Sequence, residues 1–509
     1  MSGRSTAAGE GIAAPARWAH LVGIGGAGMR ALAEVLSGRG WRISGSDAVL
    51  SPDSLRAMSA RGWQVATGHA AENLPREATC CLYSPAVPAE NVERVEAARR
   101  GLPTWSYHEM VGRLIDEHVG IGIAGTHGKS TTTALVGWIL ARNGRDPAVL
   151  CGAEWAQSAG ELAGRSGLAG DGDAVVVECC EYRRHFLAIR PRIAAILSVE
   201  PDHFDCYGSF EETRSAFREF LAAVPANGVI VWPSTLDATL QSAATARICD
   251  VAFADETTAF SSIPPEEDRD SPAWWAGDVR PDGAFTTRWT LWRRNAGTRT
   301  VVWRLPGEHN VRNGLVAAAL AGEAGLGLDE IVAGLETFPG LRRRFEILGE
   351  YRGRLLVDDY AHHPTEIAAT IETARRHFPD RRIVVCFQPH QVSRTVGLFQ
   401  EFSGALATAD AVILFPIFPA REPVTEATTR VSRELSETVA ARAASQGKTV
   451  CSDREIRGFS ARYSSSLDLP TFSLDDSTFP GDLVIAMGAG DIGRIHYAFI
   501  RRVQGDHAG

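Results

Sequence analysis

The sequence predicts an α/β protein of three domains. At 509 residues the chain is too long to fold around one hydrophobic core, and ordinary domain sizes suggest about three. Short apolar runs alternate with longer helical patterns, which is typical of parallel sheets covered by helices. Two of these runs lead into glycine-rich turns, at Gly23 and Gly125. We place the domains at residues 18–118, 119–339 and 340–509, after a loose tail at residues 1–17.

Composition and charge narrow the classes of function. Apolar residues make up 45% of the chain and charged residues 22%, as in ordinary globular proteins. A net charge of −9 argues against a nucleic-acid partner, which would favour a basic surface. No apolar run is long enough to cross a bilayer, and the tail lacks the apolar region of a signal peptide. The nine cysteines are an odd number and indicate reduced thiols. We therefore expect a cytoplasmic protein without membrane insertion.

The first domain opens with a glycine-rich turn of the Rossmann type. Gly23, Gly25 and Gly28 form a GxGxxG pattern directly after a strand, and Asp47 ends the next strand. In dinucleotide-binding domains the glycines lie under a diphosphate and the acidic residue binds a ribose. A tight strand-to-helix crossing without a ligand is the alternative. A second GxGxxG, at residues 488–493, fits a ligand-binding turn and a helix-packing turn about equally well.

The central domain begins with the most informative stretch of the chain, GIAGTHGKSTTTAL at residues 122–135. Its turn can hold a phosphate with backbone N–H groups, Lys129 can reach the outer phosphates, and the Ser130 hydroxyl can ligate Mg²⁺. Gly125 and Gly128 are separated by two residues rather than the four of the general P-loop pattern. A plain strand-to-helix turn with a solvated lysine is the alternative.

Acidic and imidazole side chains follow two further strands of the central domain. One apolar run leads to Glu178 and Glu181, and the run at residues 193–199 leads to Asp202 and His203. Because ligands bind beyond the carboxyl ends of parallel strands, these side chains should converge on the phosphate-binding turn. A carboxylate, a hydroxyl and one histidine among waters are suitable ligands for Mg²⁺. The alternative for His203 is a histidine that packs within its loop and binds no metal. The nearby cysteines match no known metal-site spacing, and we interpret them as core thiols: Cys179, Cys180 and Cys206.

The later part of the chain carries a second sheet pattern and a polar loop. Residues 255–300 become rich in acidic residues, Pro and Trp and then alternate, which predicts antiparallel strands and a mixed central sheet. In the third domain, DDYAHHPTE at residues 358–366 directly follows a strand. A solvated loop that caps a helix through Thr365 or Glu366 is the alternative to a functional loop. After the next strand, Arg394 could clamp a carboxylate.

Together these motifs resemble the Mur ligases of peptidoglycan synthesis. The resemblance extends from His20 to Arg494 and is carried by HLVGIGGAGM with SGSD, GTHGKSTTTAL, PGEHNVRN, RRRFE, VDDYAHHPTE, FQPH and GAGDIG. Members that join L-alanine to UDP-N-acetylmuramate are the most similar. The resemblance implies a Rossmann-like first domain that binds the UDP-sugar and a P-loop-type central domain that binds ATP and Mg²⁺. It also implies a Rossmann-like third domain that brings the amino acid.

The resemblance further implies an ATP-dependent ligase reaction with UDP-N-acetylmuramate, L-alanine and ATP as substrates. The muramate carboxylate attacks the γ-phosphate and forms an acyl phosphate, and the alanine amine then displaces phosphate. Such an attack requires neutralisation of negative charge, which Lys129, Mg²⁺ and a mobile arginine can supply. We expect a monomer or weak homodimer.

The family's functional positions map onto this sequence residue by residue. The catalytic set is Lys129, Glu178, His203 and Arg344. The metal ligands are Ser130, Glu178 and His203. The ATP-binding set is Gly125, Thr126, His127, Gly128, Lys129, Ser130, Thr131, His309, Asn310 and Asn313. The UDP-sugar set is Gly23, Gly25, Gly26, Ala27, Gly28, Ser46, Asp47 and Ser84. The amino-acid side is Asp359, Tyr360, His363 and Arg394.

The sequence departs from the family pattern at five positions: Arg30, Tyr107, Cys180, Arg183 and Gln391. Cys180 and Arg183 replace two acids, and Gln391 replaces an arginine expected near the amino-acid carboxylate. These departures motivate two alternatives, a recycling ligase that attaches a preformed peptide and a non-catalytic UDP-sugar-binding regulator. An NAD-dependent oxidoreductase is a further alternative, but it leaves the phosphate-binding turn without a role.

Overall fold

Three separate β-sheets organise the chain. The computed structural model describes residues 17–254, 271–420, 422–423, 425–446, 460–463, 478–493 and 495. The sheets draw their strands from residues 18–106, 119–303 and 346–487. This arrangement confirms the predicted α/β class. The predicted tail up to residue 16 and the stretch at 255–270 lie outside the described residues.

The first sheet is parallel throughout and resembles a Rossmann fold. Its strands are β1 (Trp18–Val22), β2 (Arg42–Asp47), β3 (Gln64–Thr67), β4 (Cys80–Tyr83) and β5 (Thr104–Ser106). Its helices are α1 (Ala27–Gly38), α2 (Pro52–Ala60), α3 (Val92–Arg99) and α4 (Tyr107–Asp116). The strand order β3-β2-β1-β4-β5 places β1 at the centre, and successive strands are added on one side of it and then on the other. Such a switch point opens a crevice at the carboxyl end of β1, where the GxGxxG turn lies.

The central sheet is mixed, as predicted. Its strands are β6 (Val119–Ala124), β7 (Ala148–Leu150), β8 (Gly167–Leu168), β9 (Ala174–Glu178), β10 (Ile193–Ile196), β11 (Val229–Pro233), β12 (Arg247–Phe253), β13 (Trp274–Pro281), β14 (Thr287–Arg293) and β15 (Gly297–Trp303). Its helices are α5 (Lys129–Arg142), α6 (Phe210–Ala223), α7 (Glu308–Glu323) and α8 (Leu328–Glu336). The order is β15-β14-β13-β12-β11-β10-β6-β9-β7-β8, with antiparallel pairing at β13–β14, β14–β15 and β7–β8.

One strand of the central sheet is shorter than predicted. The apolar run at residues 193–199 predicts a strand of that length, but β10 ends at Ile196. The next residues turn to support the glycine-rich loop, because Thr126 N–H donates to the Ser198 carbonyl at 2.9 Å. Residues 193–196 are buried and residues 197–199 are half-buried, and an apolar run by itself does not distinguish a strand from a supporting loop.

The third sheet is parallel except at one edge. Its strands are β16 (Glu346–Tyr351), β17 (Arg354–Asp359), β18 (Ile383–Phe387), β19 (Ala411–Leu414), β20 (Ser460–Tyr463) and β21 (Leu483–Met487). Its helices are α9 (Pro364–His377), α10 (Val392–Gly397), α11 (Phe399–Leu406) and α12 (Glu426–Ser445). The order is β16-β17-β21-β18-β19-β20, and β16 pairs antiparallel with β17.

The first two sheets share one hydrophobic core. Leu32 and Val35 of α1 belong to the same buried apolar cluster as Val177 of β9 and Phe217 of α6. Separate clusters fill both faces of the third sheet. Burial of apolar surface contributes about 25 cal/mol per Å², so this shared core favours a fixed arrangement of the first two sheets. The third sheet contacts the other two mainly through polar side chains. Within the described residues, no helix combines the length and hydropathy that a bilayer span requires.

Candidate active site

The glycine-rich loop lies between the end of β6 and the start of α5. Gly128 has a φ of 81°, and a Cβ there would lie 2.3 Å from Asn313 Oδ1. Gly125 has a φ of 131°, and its Cβ would lie 2.9 Å from the backbone nitrogens of Leu197 and Ser198. Both positions therefore require glycine. The first turn of α5 has no side-chain cap and no acidic residue, so its amide dipoles favour an anion.

Lys129 folds back over this loop. Its Nζ donates to the carbonyls of Gly125 and Thr126 and lies 2.9 Å from Glu181 Oε2. Burial by itself would lower the pKa of Lys129, but the carboxylates of Glu181 and Glu178 outweigh it and raise the pKa. The ammonium group is therefore held charged at the mouth of the loop, where it can neutralise a phosphate.

A carboxylate and a hydroxyl meet beside the lysine. Ser130 Oγ donates to Glu178 Oε2 at 2.9 Å, and the backbone N–H of Gly152 donates to the same oxygen at 2.8 Å. His203, which has a φ of 55°, faces Glu181 with 3.6 Å between Nε2 and Oε1. Burial opposes a charged imidazole, but hydrogen bonds with Cys180 and Glu181 raise the pKa of His203 to about 10.

Two cavities meet at the loop. The larger, of about 410 Å³, is lined by Lys129, Ser130, Glu178 and His203 of the central sheet and by Tyr360 of the third. Ala27 and Arg30 complete it from the first sheet, so all three sheets contribute to one wall. The smaller, of about 200 Å³, lies between the central and third sheets. Three residues line both cavities: Gly128, Arg344 and Glu366. A ligand in one cavity therefore abuts a ligand in the other.

The smaller cavity is lined by several of the predicted ATP-binding residues. His127, Thr131, His309, Asn310 and Asn313 all line it. Asn310 is buried, and its Nδ2 donates to the Pro306 carbonyl at 2.8 Å, which fixes its orientation. Burial lowers the pKa of His309 to about 4, so its ring is neutral at pH 7. The cavity therefore offers a neutral imidazole and an amide of fixed orientation next to the glycine-rich loop.

The loop histidine connects the central sheet to the third. His127 Nδ1 lies 3.1 Å from Glu366 Oε1, and its Nε2 lies 3.5 Å from Glu200 Oε2. Although burial opposes the charge, these two carboxylates raise the pKa of His127 to about 9. The His363 ring lies against it, with centroids 4.5 Å apart. Glu366 also caps α9, so the helix-cap alternative for this loop is correct for Glu366 and is compatible with a place in the site.

The predicted amino-acid residues occupy different places. Tyr360 lines the larger cavity, and the guanidinium carbons of Arg343 and Arg344 lie 5.1 and 5.2 Å from its ring centroid. Asp359 lines the smaller cavity instead. Arg394 is buried, and its Nε donates to Asp202 Oδ1 at 2.7 Å. The expected carboxylate clamp is thus engaged with a carboxylate of the central sheet, and its role toward an amino acid stays a prediction.

The first glycine turn is held by its own sheet. Gly25 N–H donates to Asp47 Oδ2 at 2.9 Å, and the Gly28 Cβ position is 3.2 Å from the ring of Tyr107. The Gly23 Cβ position is 2.8 Å from the Ser84 Cβ. Ser46 is fully buried, and its hydroxyl donates to Glu93, so direct contact with a ligand would require a local rearrangement. Gly26 is exposed at the rim of the turn, and the half-buried Ala27 reaches the larger cavity.

The second GxGxxG packs against protein atoms. A Cβ at Gly490 would lie 2.4 Å from Gln388 Oε1, and one at Gly493 would lie 2.7 Å from Asp358 Oδ2. The Gly488 carbonyl accepts a hydrogen bond from Arg343 Nη2 at 2.6 Å. Of the two interpretations that the sequence leaves open, the geometry favours the packing turn.

Several contacts in the site escape sequence reasoning. Glu154 accepts from Arg30 at 3.0 Å and from Arg342 at 2.8 Å, which connects the first sheet to the segment before the third.

Cys179 is fully buried, as a core thiol should be. The same interpretation is wrong for Cys180, which is half-buried and lines the larger cavity. A residue that follows a buried one at a strand end points to the opposite side, and this alternation was the available signal.

Comparison with known proteins agrees with this geometry. Three family profiles match in order: the Mur ligase family catalytic domain at residues 19–119, the Mur ligase middle domain at 123–321 and the Mur ligase glutamate ligase domain at 343–490. The chain belongs to the Mur ligase family. This Mur ligase is 37% identical over 493 residues to the UDP-N-acetylmuramate--L-alanine ligase of Salinibacter ruber, covering 96% of each chain. It is 36% identical to the enzyme of the same name from Sorangium cellulosum, covering 94% of each chain.

Solved structures show the same fold. The UDP-N-acetylmuramate-alanine ligase of Thermotoga maritima superposes on this Mur ligase with a TM-score of 0.73 at 24% identity, covering 96% of this chain and 99% of that one. A murein peptide ligase from Psychrobacter arcticus gives a TM-score of 0.66 at 22% identity, covering 95% and 98%. The three-sheet architecture is therefore that of the family.

Proposed function

We propose that this Mur ligase joins L-alanine to the carboxylate of UDP-N-acetylmuramate and cleaves ATP to ADP and phosphate. The observation that carries the proposal is the position of Lys129 and the glycine-rich loop, where the smaller cavity meets a second cavity walled by all three sheets. The names of the full-length relatives support the choice of substrates. A role in the synthesis of peptidoglycan precursors follows from these substrates.

In the proposed complex, ATP lies with its adenine in the smaller cavity and its γ-phosphate near Gly128 and Arg344, which line both cavities. Ser130, Glu178 and His203 would hold Mg²⁺, because a hydroxyl, a carboxylate and an imidazole at one cavity edge fit a hard cation that retains several waters. When bound, the metal ion would neutralise phosphate charge. Lys129 and Arg344 supply the protein's own positive charge at the same place.

The larger cavity would receive the muramate carboxylate and the amino acid. The carboxylate oxygen attacks the γ-phosphorus, the bond to the β-phosphate oxygen breaks, and ADP leaves. The neutral amine of alanine then attacks the acyl carbon, and phosphate departs with the electron pair of the C–O bond. Lys129 and Arg344 lower the barrier by neutralising the oxygens of the transferred phosphoryl group. Contacts from Ala27 and Tyr360 help to exclude water, which would otherwise hydrolyse the acyl phosphate.

The test is phosphate release by the purified chain with ATP, Mg²⁺ and UDP-N-acetylmuramate. We expect release that depends on L-alanine and a product in which alanine is amide-linked to the sugar nucleotide, detected by mass spectrometry. Separate reactions contain glycine, L-serine or the preformed tripeptide. Activity with the tripeptide alone would replace the proposal with the recycling ligase, and no activity with any acceptor would favour the UDP-sugar-binding regulator.

Substitution of Lys129 by alanine should lower the ligase rate by at least about 10²-fold, because the charge that neutralises the phosphoryl group is lost. Binding of UDP-N-acetylmuramate, measured by calorimetry, should remain within about twofold, since the turn at Gly23 lies on another sheet. A thermal melt controls for the effect of leaving Glu181 without its lysine. A Lys129→Ala variant with nearly unchanged turnover would refute the proposed role.

A further inference from the structure

A thiol, a carboxylate and an imidazole converge on the edge of the larger cavity. Cys180, Glu181 and His203 each offer one ligand atom, and these three atoms lie within 4.8 Å of one another. Within this group, His203 Nε2 lies 3.6 Å from Glu181 Oε1. Cys180 is one of the departures from the family's pattern, which has an acid at this position. The cluster is therefore a property of this chain.

We propose that Cys180, Glu181 and His203 form a zinc-binding site that competes with Mg²⁺ for His203. The ligand set decides the metal, because thiolate and imidazole select Zn²⁺, whereas Mg²⁺ prefers oxygen. Bond lengths of about 2.0 to 2.3 Å in a tetrahedral zinc site place ligand atoms roughly 3.3 to 3.7 Å apart. The observed spacing needs only small side-chain rotations to reach that geometry.

The surroundings hold the ligands in place and leave an entry path. Glu181 uses Oε2 for the ion pair with Lys129, so its Oε1 remains directed at His203. The ring of Tyr182 lies edge-on to the His203 ring, with centroids 5.2 Å apart. Cys180 and His203 both line the larger cavity, which provides access and space for a water as fourth ligand.

The local charge balance suits a divalent ion. The carboxylates of Glu181 and Asp202 pair with the positive charges of Lys129 and Arg394, and metal binding would add the negative charge of a Cys180 thiolate. Zinc at this place would occupy the histidine proposed for Mg²⁺ and would draw Glu181 from Lys129. We therefore expect Zn²⁺ to inhibit phosphate release when Mg²⁺ is present in excess. The site itself does not depend on the proposed ligase function, because metal binding is measured on the protein without substrates.

The experiment titrates the metal-free full-length chain with Co²⁺ and then with Zn²⁺, in the absence of nucleotide. One equivalent of Co²⁺ should give the thiolate-to-metal charge-transfer band and the intense visible bands of a tetrahedral site, and Zn²⁺ should remove both. Cys180→Ser should abolish the charge-transfer band and weaken Zn²⁺ binding by more than about tenfold, because one of three protein ligands is lost. Cys206→Ser, a half-buried cysteine outside the cluster, is the matched control and should retain the band.

A second variant separates loss of the ligand from loss of the fold. Cys180→Asp keeps a metal-binding oxygen, so it should lose the charge-transfer band while still binding Mg²⁺ in a thermal-shift titration. If the enzyme is active, Zn²⁺ sensitivity of phosphate release should fall by more than about tenfold in both Cys180 variants. Absence of the band in the unmodified chain, or its persistence in Cys180→Ser, would overturn the proposal. An inactive ligase that still shows the band would refute the proposed function and leave the zinc site intact.

Discussion

Buried carboxylates in this Mur ligase are held by specific partners. Glu181 is almost fully buried and lies between Lys129 and His203. In the first sheet, Glu93 is fully buried and accepts hydrogen bonds from Ser46 and from Asn73 Nδ2 at 2.7 Å. In both cases burial alone would raise the pKa of the acid, and the partners lower it to about 2. Each carboxylate therefore stabilises the fold only while it is ionised.

Glu93 gives a pH prediction with a definite sign. Because its pKa in the folded state lies below the ordinary value of 4.5, its contribution is present above pH 4.5 and is lost as the pH falls toward 2. We expect the thermal midpoint of Glu93→Gln to lie below that of the unmodified chain at pH 7. The difference between the two midpoints should become smaller as the pH is lowered from 5 to 3. The scale is about 3 kcal/mol, since one pKa unit corresponds to about 1.4 kcal/mol.

The measurement is calorimetry of the full chain across this pH range. Glu72→Gln, at an exposed carboxylate of the same domain, is the control and should leave the midpoint within experimental error at each pH. A constant difference between Glu93→Gln and the unmodified chain across the range would contradict the prediction.

At the scale of elements, the site is assembled at the carboxyl ends of three neighbouring strands. Lys129 begins α5 just after the loop that follows β6. Glu178 is the last residue of β9, and His203 lies in the loop after β10. β6 pairs with both β9 and β10 in parallel, so the three carboxyl ends are neighbours. The loop after β6 then packs against α7 through Gly128 and Asn313. The geometry of the phosphate-binding loop thus depends on a helix more than 170 residues later in the chain.

Gly128 tests this dependence. Gly128→Ala places a methyl group 2.3 Å from Asn313 Oδ1 at a φ of 81°, so the loop must shift. We expect ATP affinity, measured by calorimetry, to fall by more than about tenfold, because an error of about 1 Å in a positioned site can cost 10²-fold. Gly144→Ala is the matched control: its φ is 71°, but nothing lies within 4 Å of its Cβ position. It should cost about 1 kcal/mol of stability and leave ATP affinity unchanged. Equal ATP affinity in both variants would contradict this account.

At the scale of the whole molecule, polar contacts join the third sheet to the rest. Asp202 follows β10 of the central sheet, and Arg394 lies in α10 of the third. Both side chains are less than 10% exposed. Burial opposes an ionised Asp202, but Arg394 outweighs it and holds the pKa of Asp202 well below its usual range. A buried ion pair of this kind is strongly destabilised when one partner is removed, because the other charge stays buried and unpaired.

This pair predicts a change in overall shape. Asp202→Asn leaves Arg394 without its carboxylate, and separation of the third sheet would return that charge to water. We expect a larger radius of gyration in small-angle X-ray scattering of the substrate-free variant. The double variant Asp202→Asn with Arg394→Gln should have a radius of gyration closer to that of the unmodified chain than Asp202→Asn has, because the two residues are energetically coupled.

The control is the exposed ion pair of Arg299 and Asp329 within the central sheet region. Asp329→Asn should leave the scattering profile unchanged, since exposed pairs contribute little. An unchanged profile for Asp202→Asn would show that the pair does not hold the third sheet in place.

Much of the architecture could be predicted from local patterns. The strands that carry Glu178 and Asp359 follow apolar runs, and the alternation within residues 255–300 predicts the antiparallel strands that the structure contains. Strand and helix periods are local properties of the chain, so they can be recognised without knowledge of the fold. The domain boundaries predicted at residues 118 and 339 stay a prediction.

The candidate site could be predicted only in part. Lys129, Ser130, Glu178 and His203 line one cavity, as their positions at strand ends predict. The roles of Arg394 and Asp359 toward the amino acid stay predictions. In the structure Arg394 pairs with Asp202, and Asp359 lines the smaller cavity. Which partner a charged side chain finds depends on the packing of domains against one another, and no sequence period reports it.

The sequence by itself determined the family, the α/β class and the glycine-rich loop before α5, because glycine spacing and strand-end chemistry are properties of consecutive residues. Only the tertiary structure decided that Cys180 faces the cavity beside His203, that Asp202 pairs with Arg394, and that the second GxGxxG is a packing turn. The physical reason is the same in each case. Burial and charge pairing are set by residues far apart in the chain, and they take effect only when the three sheets meet.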